Sequence, residues 1–160
     1  VNPATPCILL DTNIVLDLLL GREPWARDAA ELLAAVHLRG GRPVVAAHAV
    51  TTISHITARA AGRDRAARAV RELLELVEVV AVDGALLRRA MTSGLLDFED
   101  AVQAAAAEAC GARCIATRNL RDFAAATVPA MLPGAAMALF TVTHAHPAPH
   151  APPRTPERTL

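Results

Sequence analysis

The chain has 160 residues, enough for one domain with a real core and too few for two domains of usual size. Hydrophobic residues make up 53% and aromatics only 2%, so Leu, Val, Ile and Ala must fill that core. Sixteen basic residues, all Arg, balance sixteen acidic ones; no global field marks a polyanion partner, and any nucleic-acid contact must be local.

No apolar run approaches the ~18 residues that span a bilayer, and the N-terminus lacks a basic stretch followed by an apolar one, so a soluble, cytoplasmic protein with no membrane partner is expected. Three cysteines, Cys7, Cys110 and Cys114, argue against a disulfide framework, and Cys110-x-x-x-Cys114 is not a zinc spacing.

In chain order, Cys7 to Leu10 reads as a short buried strand, and Thr12 opens a helix to about Leu20, broken by Gly21 and Pro24. A second helix, Trp25 to Leu38, places Ala29, Leu32, Leu33 and Val36 on one face before Gly40-Gly41. Strand two spans Pro43 to Ala46. A helix follows from His48 to Ala61, and after Gly62 another, capped by Asp64, runs through Leu76. Val79 to Val82 is the third strand. Asp83 is placed to cap a helix through Met91, and Asp97 to cap one running to Cys110. Arg113 to Ala116 and Val128 to Leu132 are the last strands, with Pro133-Gly134 opening a final helical turn through Leu139.

Short apolar runs alternating with helices predict an α/β fold with three α/β/α layers around a central, mostly parallel sheet. Residues 1–140 form one domain on this reading. From 141 to 160, His144, His146 and His150 lie among five prolines, which predicts a disordered Pro/His-rich tail.

Three polar clusters follow apolar stretches. Asp11 ends the first strand, Asp97 and Asp100 open the helix after residue 96, and Asn119 and Asp122 lie just past the fourth strand. In an open parallel sheet ligands gather beyond the carboxyl ends of the strands, so Asp11, Asp97, Asp100 and Asp122 are expected to converge. Carboxylates held together repel unless a cation balances them, and Mg²⁺ or Mn²⁺ takes such oxygen ligands. A site of this kind suits phosphodiester hydrolysis.

Plain alternatives stand beside each assignment. Asp11 can be an N-cap; Asp97 can be only a cap, with Asp100 completing a reciprocal capping pattern; Asn119 and Asp122 can be turn residues. Asn13 and Thr117 are candidates to support the acids by hydrogen bonds, or to satisfy local backbone groups. Arg118 and Arg121 are candidates for RNA phosphate contact, or solvated loop charges. His48 and His55 read as ordinary helix histidines. No glycine-rich phosphate loop or covalent nucleophile motif supports another phosphate-handling hydrolase.

Leu10-Asp11-Thr12-Asn13-Ile14, Asp97-Phe98-Glu99-Asp100-Ala101 and Thr117-Arg118-Asn119-Leu120-Arg121-Asp122-Phe123, in this order, resemble the PIN-domain nucleases, including toxins of type II toxin–antitoxin pairs. The resemblance runs from Ile8 to about Leu139. It implies a PIN-like domain, a Mg²⁺- or Mn²⁺-dependent endoribonuclease, homodimerisation and a cognate antitoxin partner. On it, Asp11 and Asp100 match two of the family's acids, and Asn119 takes the place of the last, with Asp122 as substitute or supplement. The acid many relatives carry early in the helix after strand two falls near Thr52, and no Asp or Glu occurs from Pro43 to Gly62. A catalytically impaired module that binds RNA or a protein partner is therefore the alternative.

Overall fold

The computed structural model describes residues 5–141. Five parallel strands, β1 (Cys7–Leu10), β2 (Arg42–Ala46), β3 (Glu78–Val80), β4 (Ile115–Ala116) and β5 (Ala130–Met131), lie in the order β3-β2-β1-β4-β5. Every pairing is parallel, from Cys7 opposite Arg42 to Ala116 opposite Met131.

The described residues also form seven helices: α1 (Thr12–Leu20), α2 (Trp25–Leu38), α3 (Ala47–Ala61), α4 (Arg63–Leu76), α5 (Gly84–Ala90), α6 (Phe98–Ala109) and, after the last strand, α7 (Pro133–Thr141). Alternation along β1 sends Ile8 and Leu10 to one core and Cys7 and Leu9 to the other. The first core is closed by α1, α2, α3, α4 and α7, through Val15, Leu32, Ile53, Leu73 and Phe140. The second is closed by α5 and α6, where Ala101, Ala104, Ala105 and Ala106 lie against the sheet. Covered faces leave β1 and β2 no polar side, which explains their unbroken apolar runs.

Most boundaries fall within a residue or two of the sequence expectations, and the differences have local causes. Asp64 does not cap α4. The N-cap is Gly62, at φ +89°, and Asp64 sits in the first turn. β3 ends at Val80, with Val82 packing under α5 and α6 instead. β4 and β5 are shorter than expected, although Cys114 O already accepts from Leu9 N at 3.1 Å and Pro129 O from Ile115 N at 2.9 Å. Asp83 does cap α5, accepting from Leu86 N at 2.8 Å, which holds its carboxyl below the usual range. The expected tail at 141–160 lies outside the described residues except for Thr141, which closes α7. No helix among the described residues is long and apolar enough to cross a membrane.

Candidate active site

Connections from β1 lead to β2 and β3 on one side, while β4 and β5 lie on the other, so the strand order reverses between β1 and β4. The carboxyl ends of two such strands are the place where open α/β sheets bind ligands. Asp11 follows β1 and Thr117 follows β4, and the two meet there.

Asp11 occupies the N-cap position of α1, but its side chain makes no capping bond. Instead the carboxylate, 4% exposed, is clasped by side chains from three segments. Thr117 Oγ1 donates to Oδ2 at 2.6 Å, Gln103 Nε2 donates to Oδ1 at 3.0 Å, and Asn13 Nδ2 donates to Oδ2. Asn13 also donates to Thr117 Oγ1 at 3.1 Å, and its Oδ1 accepts from Arg118 N at 3.3 Å. Asn119 N donates to Thr117 Oγ1 at 2.9 Å, so the Asn119 backbone braces the cluster while its side chain is exposed. Burial raises the Asp11 carboxyl above its ordinary range, and the Thr117 and Gln103 bonds oppose that rise.

Asp100 sits one turn before Gln103 on α6, half-buried. Its carboxyl is pushed up to about 7, first by burial and then by the charges of Asp11, Asp97, Asp122 and Glu99. Asp97 is the N-cap of α6, its Oδ1 accepting from Glu99 N at 2.7 Å and Asp100 N at 3.3 Å. Asp97, Asp100, Asp122 and Arg121 line one cavity of about 270 Å³ with Gly94, Leu95 and Leu96.

The four acids thus do not close into a single cage. Among the described residues no group of three or more His, Cys, Asp or Glu side chains is placed to hold a metal ion. Asp11 lies behind, wrapped in hydrogen bonds; Asp97, Asp100 and Asp122 form the mouth, and Asp97 spends one oxygen on its helix.

Two further residues were not singled out from sequence as parts of the site. Gln103 is 1% exposed, and its Oε1 is buried without a partner. Its signal was positional, a lone polar side chain in an alanine run three residues after Asp100. Asp17 on α1 is fully buried and meets Arg118, with Nε 2.6 Å from Oδ2 and Nη2 3.3 Å from Oδ1. Burial raises the Asp17 carboxyl, and Arg118 and Arg22 oppose this. The Arg118 guanidinium also lies 4.4 Å over the Trp25 ring. Arg118 therefore has an internal partner, whereas Arg121 is exposed at the cavity wall.

Thr52 is half-buried on α3 and brings no charge. Nearby in the fold, Glu99 Oε1 accepts from Thr12 Oγ1 at 3.4 Å and acts electrostatically on His48, whose ring is pushed below its ordinary range by burial. Both His48 nitrogens are buried without a hydrogen-bond partner. His55 is exposed.

The donor set fits a hard divalent ion in its chemistry. It is all oxygen, it carries uncompensated negative charge that Asp100 registers, and Mg²⁺ needs only one or two carboxylates when waters and substrate phosphates complete its shell. The orphaned Gln103 Oε1 adds a neutral acceptor beside Asp11.

The PIN domain family matches residues 7–121, most of the chain, which takes in Asp11, Asp97, Asp100 and Asn119 and ends one residue before Asp122. The chain belongs to the PIN domain family. No curated protein matches it. Among solved structures it is similar to VapC20 of Mycobacterium tuberculosis, described as a toxin that cleaves the sarcin–ricin loop, at 21% identity and TM-score 0.62, covering 76% of this chain and 95% of that one. A toxin–antitoxin complex from Klebsiella pneumoniae is similar at 22% identity and TM-score 0.59, covering 79% and 97%. DNA-bound VapBC from Salmonella typhimurium is similar at 15% and TM-score 0.62, covering 81% and 99%. At these identities the likeness is one of fold.

Proposed function

We propose that this PIN domain is a divalent-metal-dependent endoribonuclease that hydrolyses RNA phosphodiester bonds as the toxin of a type II toxin–antitoxin pair. The observation that carries the reading is Asp100, whose carboxyl is raised to about 7 by burial and by the neighbouring acids at the β1/β4 switch point. An acidic mouth backed by a clasped aspartate stores charge that a cation of the solvent or substrate complex would relieve.

Asp11 and Asp100 would hold Mg²⁺ or Mn²⁺, with Asp122 and Asp97 bearing on its waters. When bound, such an ion acidifies a water and stabilises charge developing on phosphate oxygens. Gln103, Thr117 and Asn13 keep the Asp11 carboxylate in one orientation, so no reorganisation is needed when substrate arrives. Arg121, exposed on the cavity wall, offers paired donors to a backbone phosphate; Arg118 acts behind it through Asp17.

Support for a toxin comes from structural neighbours described as toxins or toxin–antitoxin complexes. On this reading an antitoxin segment covers the acidic mouth, the active form pairs with a second copy, and the protein works in the cytoplasm. A specific observation favours the second reading, an RNA- or protein-binding module with impaired catalysis: α3 carries no acid, and three carboxylates are not gathered.

The test is cleavage of RNA by the purified full chain in Mn²⁺. Wild type should cut, and Asp11→Asn and Asp100→Asn should each reduce cutting to background while retaining the wild-type circular dichroism spectrum. A fully active Asp100→Asn protein would sink the site. Wild-type binding to RNA without any Mn²⁺-dependent cutting would favour the impaired module.

A further inference from the structure

At the opposite end of β1 from Asp11, the first residue of the strand, Cys7, places its Sγ 3.8 Å from Sγ of Cys110, the C-cap residue of α6. The pair is built from two sides. Arg113 N donates to Cys7 O at 2.8 Å, which returns the chain after α6 to the start of β1, and Ala112 N bonds Ala107 O at 2.9 Å to close the helix. Cys110 also donates to Ala107 O at 3.4 Å, so the thiols form an ordered chain, Cys7 to Cys110 to the Ala107 carbonyl. Neither is in a disulfide.

The two sulfurs differ in access. Cys7 is 2% exposed, whereas Cys110 is only half-buried. The hydrogen bond from Cys7 favours the Cys110 thiolate and raises the Cys7 thiol, and the charge of Arg42, itself held by Glu78 at 2.6 Å, favours the anion at both. Cys114 takes no part. It belongs to the core on the other face of the sheet, and burial pushes its thiol up to about 12.

We propose that Cys7 and Cys110 form a peroxide-sensitive dithiol, with Cys110 as the attacking thiol and Cys7 as the resolving one. The Cys110 thiolate attacks one oxygen of a hydroperoxide, the O–O bond breaks, and a sulfenic acid forms at Cys110 while the leaving oxygen departs as water or alcohol after taking a proton. Cys7 then attacks the Cys110 sulfur and expels hydroxide, which leaves as water with the Cys7 proton. Two thiols are oxidised to one disulfide and one peroxide is reduced. Disulfide formation closes the sulfurs from 3.8 Å to about 2.05 Å. The bond would join β1 and α6 at the ends remote from Asp11 and Asp100, so it forms without entering the acidic crevice. It is independent of whether that crevice cuts RNA.

The experiment treats the reduced full chain with hydrogen peroxide, alkylates remaining thiols under denaturing conditions and maps the peptides by mass spectrometry. Two of the three thiols should be lost, the peptides of Cys7 and Cys110 should be joined within one chain, and Cys114 should be alkylated; a dithiol reductant should restore all three. Cys114→Ser should keep the link. Cys7→Ser should leave Cys110 as a sulfenic acid that dimedone traps. The proposal is overturned if wild-type Cys110 passes to sulfinic acid or joins a second chain without linking to Cys7, or if both thiols survive peroxide that oxidises free cysteine. Should Cys7→Ser not fold, the wild-type map alone decides.

Discussion

Asp11 and Asp100 are near enough to repel each other and are held in opposite ways. Asp11 is almost fully buried and its two oxygens receive three side-chain donors from α1, α6 and the residue after β4. Asp100 is half-buried among Asp97, Asp122 and Glu99 with no comparable clasp, and its carboxyl holds a proton up to about pH 7. The first is positioned by hydrogen bonds before anything binds; the second awaits a positive charge. On the proposed function, a site divided in this way gains geometry from one half and cation affinity from the other, and each half can be broken separately.

The largest effect on the fold should come from the buried ion pair behind the clasp. Arg118→Ala leaves the fully buried Asp17 with only Arg22 Nη1, 3.8 Å from its Oδ1. Stranding one partner of a buried pair costs about 3–5 kcal/mol, and the partial exposure of Arg118 places the expected loss near the lower end, about 3 kcal/mol. Urea denaturation should therefore show a lower midpoint at unchanged slope. If stability is unchanged and RNA affinity falls instead, Arg118 is a phosphate contact, and Asp17 is satisfied by Arg22 alone.

The sequence was most legible where the determinants are local. Asp83 and Asp97 cap the helices they were expected to cap, because an N-cap depends on a side chain and the backbone two or three residues on. Apolar runs at residues 7–10 and 43–46 identify buried parallel strands, and β1, β2 and the helices between them follow. What the sequence could not supply is the strand order. The β1–β4 adjacency brings Thr117 to Asp11 across 106 residues, and the packing of α6 against β1 and β2 brings Gln103 to it across 92. Without that adjacency, Thr117 and Asn13 remained open between local and site roles, and Asp17 was indistinguishable from a polar position on α1. Asp97 was set apart in the sequence as a cap, but the same gap hid that burial gives Asp11 a task that Asp100 and Asp122 do not share.

Next in size is the clasp itself. Gln103→Leu removes the donor to Asp11 Oδ1 and also the buried, unpartnered Oε1, at nearly constant volume. Partners that orient a metal ligand are typically worth 10–100-fold in affinity or activity, so Mn²⁺-dependent cleavage should fall by roughly that factor. Folding stability should change little, because an orphaned acceptor leaves with the lost bond. A Gln103→Leu enzyme with wild-type activity would mean that Thr117 and Asn13 suffice to orient Asp11.

The smallest effect is diagnostic for the mouth. In metal-free protein the folded state keeps the Asp100 proton up to about pH 7, whereas the unfolded chain releases it near the ordinary value of 3.8. Between those limits the folded state binds more protons, so stability must fall as pH rises through the window. For a half-buried group screened by solvent the contribution is on the order of 1 kcal/mol. Asp100→Asn should remove that contribution, leaving a flatter profile and a more stable metal-free protein at pH 8, the reverse of its effect on cleavage. Added Mn²⁺ should stabilise wild type increasingly as the pH rises, since the carboxylate must lose its proton to bind, and should do little for Asp100→Asn. An identical pH profile for the two metal-free proteins would mean that neither burial nor repulsion from Asp11, Asp97 and Asp122 raises Asp100, and the contrast between a clasped acid and a waiting one would disappear.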